Sequence, residues 1–213
     1  RAVAQRLAAG GARVAVNDID AAAAEDTAAL IVQGGGEAVS APGDVASADD
    51  VRGVVQRTLD AFTAVHILVH AAGVLRRTPI ADIEEDEWDL VVNVSLKGAY
   101  LCTRAVLPAM KEAGWGRIVN FSSTAGKTVS TLGGPHYTAA KTGVLGLTRA
   151  VAKEVARDGI TVNAVCPGLV NTEMVRATID EARVKAYTEG FPIQRIGEPW
   201  EVAELVAFLA SDK

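Results

Sequence analysis

The chain has 213 residues, 49% of them hydrophobic and 22% charged, with 20 glycines, seven prolines and a net charge of −5. That length and apolar fraction support a buried core of domain size and exclude a disordered or fibrous chain. The negative balance leaves no basic footprint for nucleic acid. Cys102 and Cys166 are too few for a disulfide scaffold and suit a reduced, cytoplasmic compartment. No unbroken apolar run of about 18 residues and no signal-peptide pattern points to a membrane.

In chain order, residues 1–9 read as a helix stopped by Gly10-Gly11. Residues 13–17 are an apolar run of strand length closed by Asp18. A helix from Ala21 to Gln33 ends in Gly34-Gly35-Gly36, and Asp20 suits its N-cap. A weaker strand from Glu37 to Ala41 turns at Pro42-Gly43-Asp44. Ser47 and the acidic residues after it start a helix reaching Phe62. His66 to Val69 is a strand that runs into the loop Ala71-Ala72-Gly73. One long helix is expected from Glu84 to Glu112, bent or restarted at Pro108. Arg117–Phe121 is a strand, Tyr137–Arg157 a helix, and Ile160–Val165 a strand ended by Pro167-Gly168. Glu173–Thr188 reads as a single helix, and Glu198–Ala210 closes the chain as another.

Short apolar strands separated by helices imply βαβ units. The expected fold is therefore α/β: a doubly wound, Rossmann-type parallel sheet with helices on both faces, residues 1–213 forming a single domain. In such sheets ligands bind beyond the carboxyl ends of the strands. Those ends carry Asp18, Asp44, Ala72-Gly73, Ser122-Ser123 and Pro167-Gly168.

The strongest chemical pattern is Tyr137-Thr138-Ala139-Ala140-Lys141, which puts phenol and ammonium one helical turn apart on one face. A free tyrosine titrates near 10, and a neighbouring ammonium favours the phenolate. The pair can exchange a proton with a carbonyl or alcohol. A hydroxyl from Ser122-Ser123-Thr124 can donate to a substrate oxygen; taken alone, such a run is more often turn chemistry. Asn93 puts an amide on an otherwise apolar helix face, where it needs a partner. His66, His70 and His136 show no metal-ligand spacing, so no metal is expected.

In this order and spacing, Asp18, Asp44-Val45, Ala72-Gly73, Asn93, Ser123, Tyr137, Lys141 and Pro167-Gly168 resemble the short-chain dehydrogenase/reductase family over essentially the whole chain. The resemblance implies that Ser123 orients the substrate oxygen and Tyr137 is the acid/base. Lys141 lowers the tyrosine pKa and holds the nicotinamide ribose, and Asn93 fixes a water in a proton relay. Asp18 then hydrogen-bonds the ribose hydroxyls of NAD and repels a 2′-phosphate, favouring NAD(H) over NADP(H). Asp44 and Val45 match adenine contacts, and Ala72 and Gly73 pass the adenosine ribose. Pro167, Gly168, Val170 and Thr172 match the segment that holds the carboxamide. Thr124, Leu132, His136 and the variable lid from Thr172 to Pro192 are the expected substrate contacts.

Two departures stand out. His70 replaces the asparagine usual for the family, which predicts altered packing beside the central strands. The glycine-rich phosphate loop is missing: Gly34-Gly35-Gly36 follows a helix and precedes a strand, the reverse of a phosphate-binding turn. Such a fingerprint lies about 20 residues before the ribose-binding acid. The reading is a chain truncated at both ends, without its first strand and loop or its last strand, from a protein of roughly 240–260 residues. The sheet would then have a gap at its centre.

The function expected is hydride transfer between NAD(H) and a secondary alcohol or ketone. The alternatives are a 3-oxoacyl-carrier-protein reductase using NADP(H), an epimerase or dehydratase of the same fold, and a non-catalytic cofactor-binding regulator. The partners expected are a small-molecule substrate and, through the two long helices, copies of the chain in a homotetramer or homodimer, with no nucleic acid or membrane.

Overall fold

The computed structural model describes all residues 1–213. Five short strands alternate with nine helices: α1 (Ala2–Ala9), β1 (Val14–Val16), α2 (Ala21–Gln33), β2 (Ala38–Ser40), α3 (Ala48–Phe62), β3 (Ile67–His70), α4 (Glu85–Val92), α5 (Gly98–Ala113), β4 (Gly116–Phe121), α6 (Pro135–Val155), β5 (Ile160–Val165), α7 (Glu173–Thr178), α8 (Glu181–Thr188) and α9 (Pro199–Leu209).

All strand pairs are parallel, and they form two sheets, β1-β2 and β3-β4-β5. Val14 pairs with Ala38, Ile67 with Arg117, and Gly116 with Ile160. β1 and β3 do not pair with each other, and no glycine-rich strand-to-helix turn lies in the chain, so the expected central gap is present. Alternation along β4 shows why both faces need cover. Ile118 enters a cluster with Val106 and Met110 of α5, Val155 of α6 and Val162 of β5. Val119, the next residue, joins Val165 and Val206 of α9 on the opposite face. Val3 of α1 packs against that second cluster, and an Arg6–Glu204 ion pair adds a surface tie between α1 and α9.

Local chemistry sets the helix ends. Asp20 accepts from Ala22 N and Ala23 N, and Ser47 accepts from Asp50 N, as N-caps. The glycine run 34–36 is a helix stop: Gly35 has φ +85°, and a Cβ on Gly36 would meet Ile31 Cγ2 at 2.9 Å. Two expected helices are interrupted. Between α4 and α5 the path makes a π turn over Asn93–Lys97, with Gly98 N–H bonded to Asn93 O, while Pro108 sits inside α5 without restarting it. The carbonyl that Pro108 leaves unbonded belongs to exposed Arg104, where water can serve it. The segment expected as a single helix over 173–188 breaks at extended, buried Ile179, and Asp180 caps α8 by accepting from Arg183 N. The stretch Glu85–Ala113 is long and apolar enough to cross a bilayer by composition, but Leu101, Val106 and Met110 are buried in the fold.

Candidate active site

The carboxyl end of β4 faces the start of α6, and the two are tied twice. Ser122 Oγ donates to Lys141 O at 2.8 Å, and Lys141 Nζ donates to Phe121 O at 2.8 Å. Ser122 is buried and committed to this backbone tie. Ser123, one residue on, is only partly buried, and its Oγ accepts from Ala125 N at 3.1 Å. Alternation along the strand end thus gives the neighbouring serines different surroundings.

Tyr137 lies in the first turn of α6, which begins two residues earlier than expected because Pro135 occupies its first position. A Cβ on Gly133 would stand 2.8 Å from Tyr137 Cδ1, so the loop passes close against the base of the phenol side chain. That loop is tied down by Gly133 N donating to Ser130 Oγ at 2.6 Å and by Ser130 N donating to Thr138 Oγ1 at 3.1 Å. Burial pushes the Tyr137 pKa up, and hydrogen bonding with the Ser123 hydroxyl partly offsets that rise. Lys141 Nζ stands 5.8 Å from the Tyr137 ring centre. Burial lowers the Lys141 pKa to about 8.

The loop after β3 completes the floor. A Cβ on Gly73 would stand 3.3 Å from Lys141 Nζ and 3.6 Å from Ser95 Oγ, so this glycine lets the backbone pass between α6 and the π turn. Asn93 opens that turn and is partly buried. Behind the floor, His70 is 3% exposed and its pKa falls to about 4, first through burial and then through the Lys141 charge. Its Nε2 has no partner.

The loop after β5 approaches the same end: Thr124 N donates to Pro167 O at 3.0 Å, and Gly168 lies over exposed Thr124. Val170 bridges to Gly197, and Thr172 Oγ1 caps α7 by accepting from Val175 N. Leu132 is half-buried beside Tyr137's strap. Asp44 Oδ1 accepts from Ala46 N at 2.8 Å, and Val45 is buried against Gly98, which leaves little of its side chain for a ligand. Ala72 is half-buried ahead of Gly73. A groove of about 460 Å³ includes Pro167, Gly168 and Val170 but not Ser123, Tyr137 or Lys141. A cleft of about 650 Å³ between α2, β2 and Arg57 of α3 contains none of the expected site residues.

His136 does not line the substrate mouth. It is fully buried, with Nε2 3.3 Å from Glu87 Oε1 and its ring stacked on Trp88. Its place beside Tyr137 at the start of a helix pointed to the mouth in sequence, yet the helix turns it inward towards α4. Sequence reasoning also missed Gly133, Ser95 and Glu87. Gly133-Gly134-Pro135 was the one available sign that a loop presses on the tyrosine.

The family described as enoyl-(acyl carrier protein) reductase matches residues 1–213. The chain is a member of the short-chain dehydrogenase/reductase family. It is 39% identical over 213 residues to a 3-oxoacyl-[acyl-carrier-protein] reductase of Synechocystis, covering 100% of this chain and 84% of that protein. It is 40% identical over 207 residues to a (2S)-[(R)-hydroxy(phenyl)methyl]succinyl-CoA dehydrogenase subunit of Thauera aromatica, covering 97% and 82%. A crystal structure of a 3-oxoacyl-[acyl-carrier protein] reductase from Brucella melitensis superposes with a TM-score of 0.94 at 33% identity, covering 100% of this chain and 80% of that one. As a member of this family, the chain is an NAD(P)-dependent oxidoreductase acting on a CH–OH/C=O group.

The preference for NAD(H) is overturned. The 3-oxoacyl-[acyl-carrier-protein] reductases among this chain's relatives represent an NADPH-dependent activity. The physical reason lies in Asp18, which is exposed and turned back so that Oδ1 accepts from Asp20 N at 3.1 Å. With Oδ1 engaged in its own turn, the carboxylate is not held by the fold towards a ribose.

Proposed function

We propose that this reductase reduces the 3-oxo group of an acyl thioester with NADPH, using Ser123, Tyr137, Lys141 and Asn93. The observation that carries the reading is the docking of the β4 end on the first turns of α6, where Ser122 Oγ donates to Lys141 O and buried Lys141 Nζ donates to Phe121 O, one turn from Tyr137. The thioester is suggested by two relatives, whose names place the acyl group on a carrier protein in one case and on CoA in the other.

The residues present suit the nicotinamide end of a dinucleotide. An ammonium has three donors, and Lys141 places one on Phe121 O, leaving donors for the ribose hydroxyls beside Gly73. Ala72, Pro167, Gly168, Val170 and Thr172 would flank the group, with Asp44 and Val45 nearer the adenine. When bound, the nicotinamide supplies the hydride.

Tyr137 donates a proton to the substrate oxygen as that oxygen gains charge, and Ser123 donates a hydrogen bond to the same atom. Lys141, charged below about 8, stabilises the phenolate left behind. Asn93 holds water at the π turn to return the proton. Thr124 and Leu132 border the acyl group, with the 172–192 segment above them.

The test follows nicotinamide absorbance with acetoacetyl-CoA and with simple ketones, each with NADPH and with NADH. Preference for the thioester and NADPH supports the reading. Faster turnover of the simple ketones contradicts the thioester assignment.

A further inference from the structure

His136 and Glu87 are an ionisable pair that the proposed chemistry does not use, the imidazole fully buried and the carboxylate half-buried. Glu87 lies in the first turn of α4, and His136 immediately precedes Tyr137 in α6. The imidazole is fully buried, and its Nε2 stands 3.3 Å from Glu87 Oε1, short of a well-aligned hydrogen bond. Neither atom has another partner. Removing Glu87 would leave the buried imidazole nitrogen with no polar group in reach.

Two further contacts confine the ring. Trp88 stacks on it at 6.4 Å between centroids and 21° between planes. Gly134 lies on the opposite approach, where a Cβ would meet His136 Cε1 at 2.7 Å and Thr78 O at 2.6 Å. Gly134 N also donates to Arg76 O at 2.7 Å, and Gly134 O accepts from Tyr137 N at 3.1 Å. The first turn of α6 is therefore gripped by α4 on one side and by residues 76–78 on the other. Successive helix residues point about 100° apart, so the imidazole reaches α4 while the phenol next to it reaches Ser123.

We infer that Glu87 and His136 form a positioning pair that docks the first turn of α6 on α4 and thereby holds Tyr137 in register with Ser123. This rests on the reading of Tyr137 as the proton donor. The pair touches no reacting atom, so its loss acts on the geometry of turnover rather than on binding.

The test compares Glu87→Leu, Glu87→Gln and the parent, using acetoacetyl-CoA and NADPH, and follows amide hydrogen exchange over residues 135–139. Glu87→Leu should lower kcat by about tenfold or more, as a misplaced catalytic group does, with KM and the NADPH Kd within about twofold. Glu87→Gln keeps an acceptor of the same shape and should return kcat to within about threefold of the parent. Exchange over 135–139 should rise in Glu87→Leu alone. Parent-like kcat and exchange in Glu87→Leu would overturn the pairing; should that variant not fold, His136→Gln is read by the same two measures. Tyr137→Phe is run alongside. If it keeps parent turnover the proton-donor reading fails, while the exchange data still decide whether the pair anchors the turn.

Discussion

The β4–α6 end and the β1–β2 end both present loops at the carboxyl ends of parallel strands, but they hold polar groups in opposite ways. At β4–α6, Ser122, Lys141 and Asn120 are all buried and bonded, Asn120 Nδ2 donating to Thr148 Oγ1 at 3.1 Å. At β1–β2 each strand has three residues, and the Asp18 side chain stands in solvent with its carboxylate bonded only within its own turn. The difference teaches which sequence patterns carry function. A residue whose position is fixed from several sides can be read from spacing, whereas one exposed charge cannot decide a ligand.

The two serines of the β4 end offer the sharpest division. Ser123→Ala should lower kcat by about a hundredfold, the scale of losing one donor to a developing oxyanion, with little change in melting. Ser122→Ala should do the reverse. It removes a buried tie between β4 and α6 and costs about 0.5–1.5 kcal/mol of stability. Urea titration and steady-state kinetics on both variants check this, and equal kinetic losses would erase the division.

His70 supplies a pH test of the same buried region. Its pKa is near 6.5 when unfolded and falls to about 4 in the fold. Between those values the unfolded chain binds the extra proton, so stability rises with pH and is lost as pH falls from about 6.5 to about 4. The loss is on the order of 2–3 kcal/mol. His70→Asn should flatten that slope whatever its effect at neutral pH. An unchanged slope in urea titrations at pH 4 to 7 would place the acid sensitivity elsewhere.

Asp18→Ala, at the other end, should change little. The ratio of kcat/KM with NADPH to that with NADH should move by no more than about threefold, the reach of one screened charge. A change of about a hundredfold would restore Asp18 as the selector.

The βαβ alternation was legible because the strands are continuous apolar runs buried on both faces, as Ile118 and Val119 show. The Tyr137–Lys141 spacing survived because helix geometry alone puts the two residues on one face. What escaped the sequence depended on tertiary contact. The π turn at Asn93 has no distinctive local residue. The break at Ile179 shows only in hindsight through Asp180 as a cap. The inward turn of His136 follows from Glu87 and Trp88, some fifty residues away in sequence. The coenzyme preference failed because Asp18 was weighed without its exposure.

The central claim is that Tyr137 passes a proton to the substrate oxygen. It is tested most directly by turnover of acetoacetyl-CoA with NADPH by Tyr137→Phe, with circular dichroism and NADPH binding measured on the same sample. The account predicts a loss of about a thousandfold or more in kcat with parent-like folding and binding. Turnover within about tenfold of the parent would contradict it.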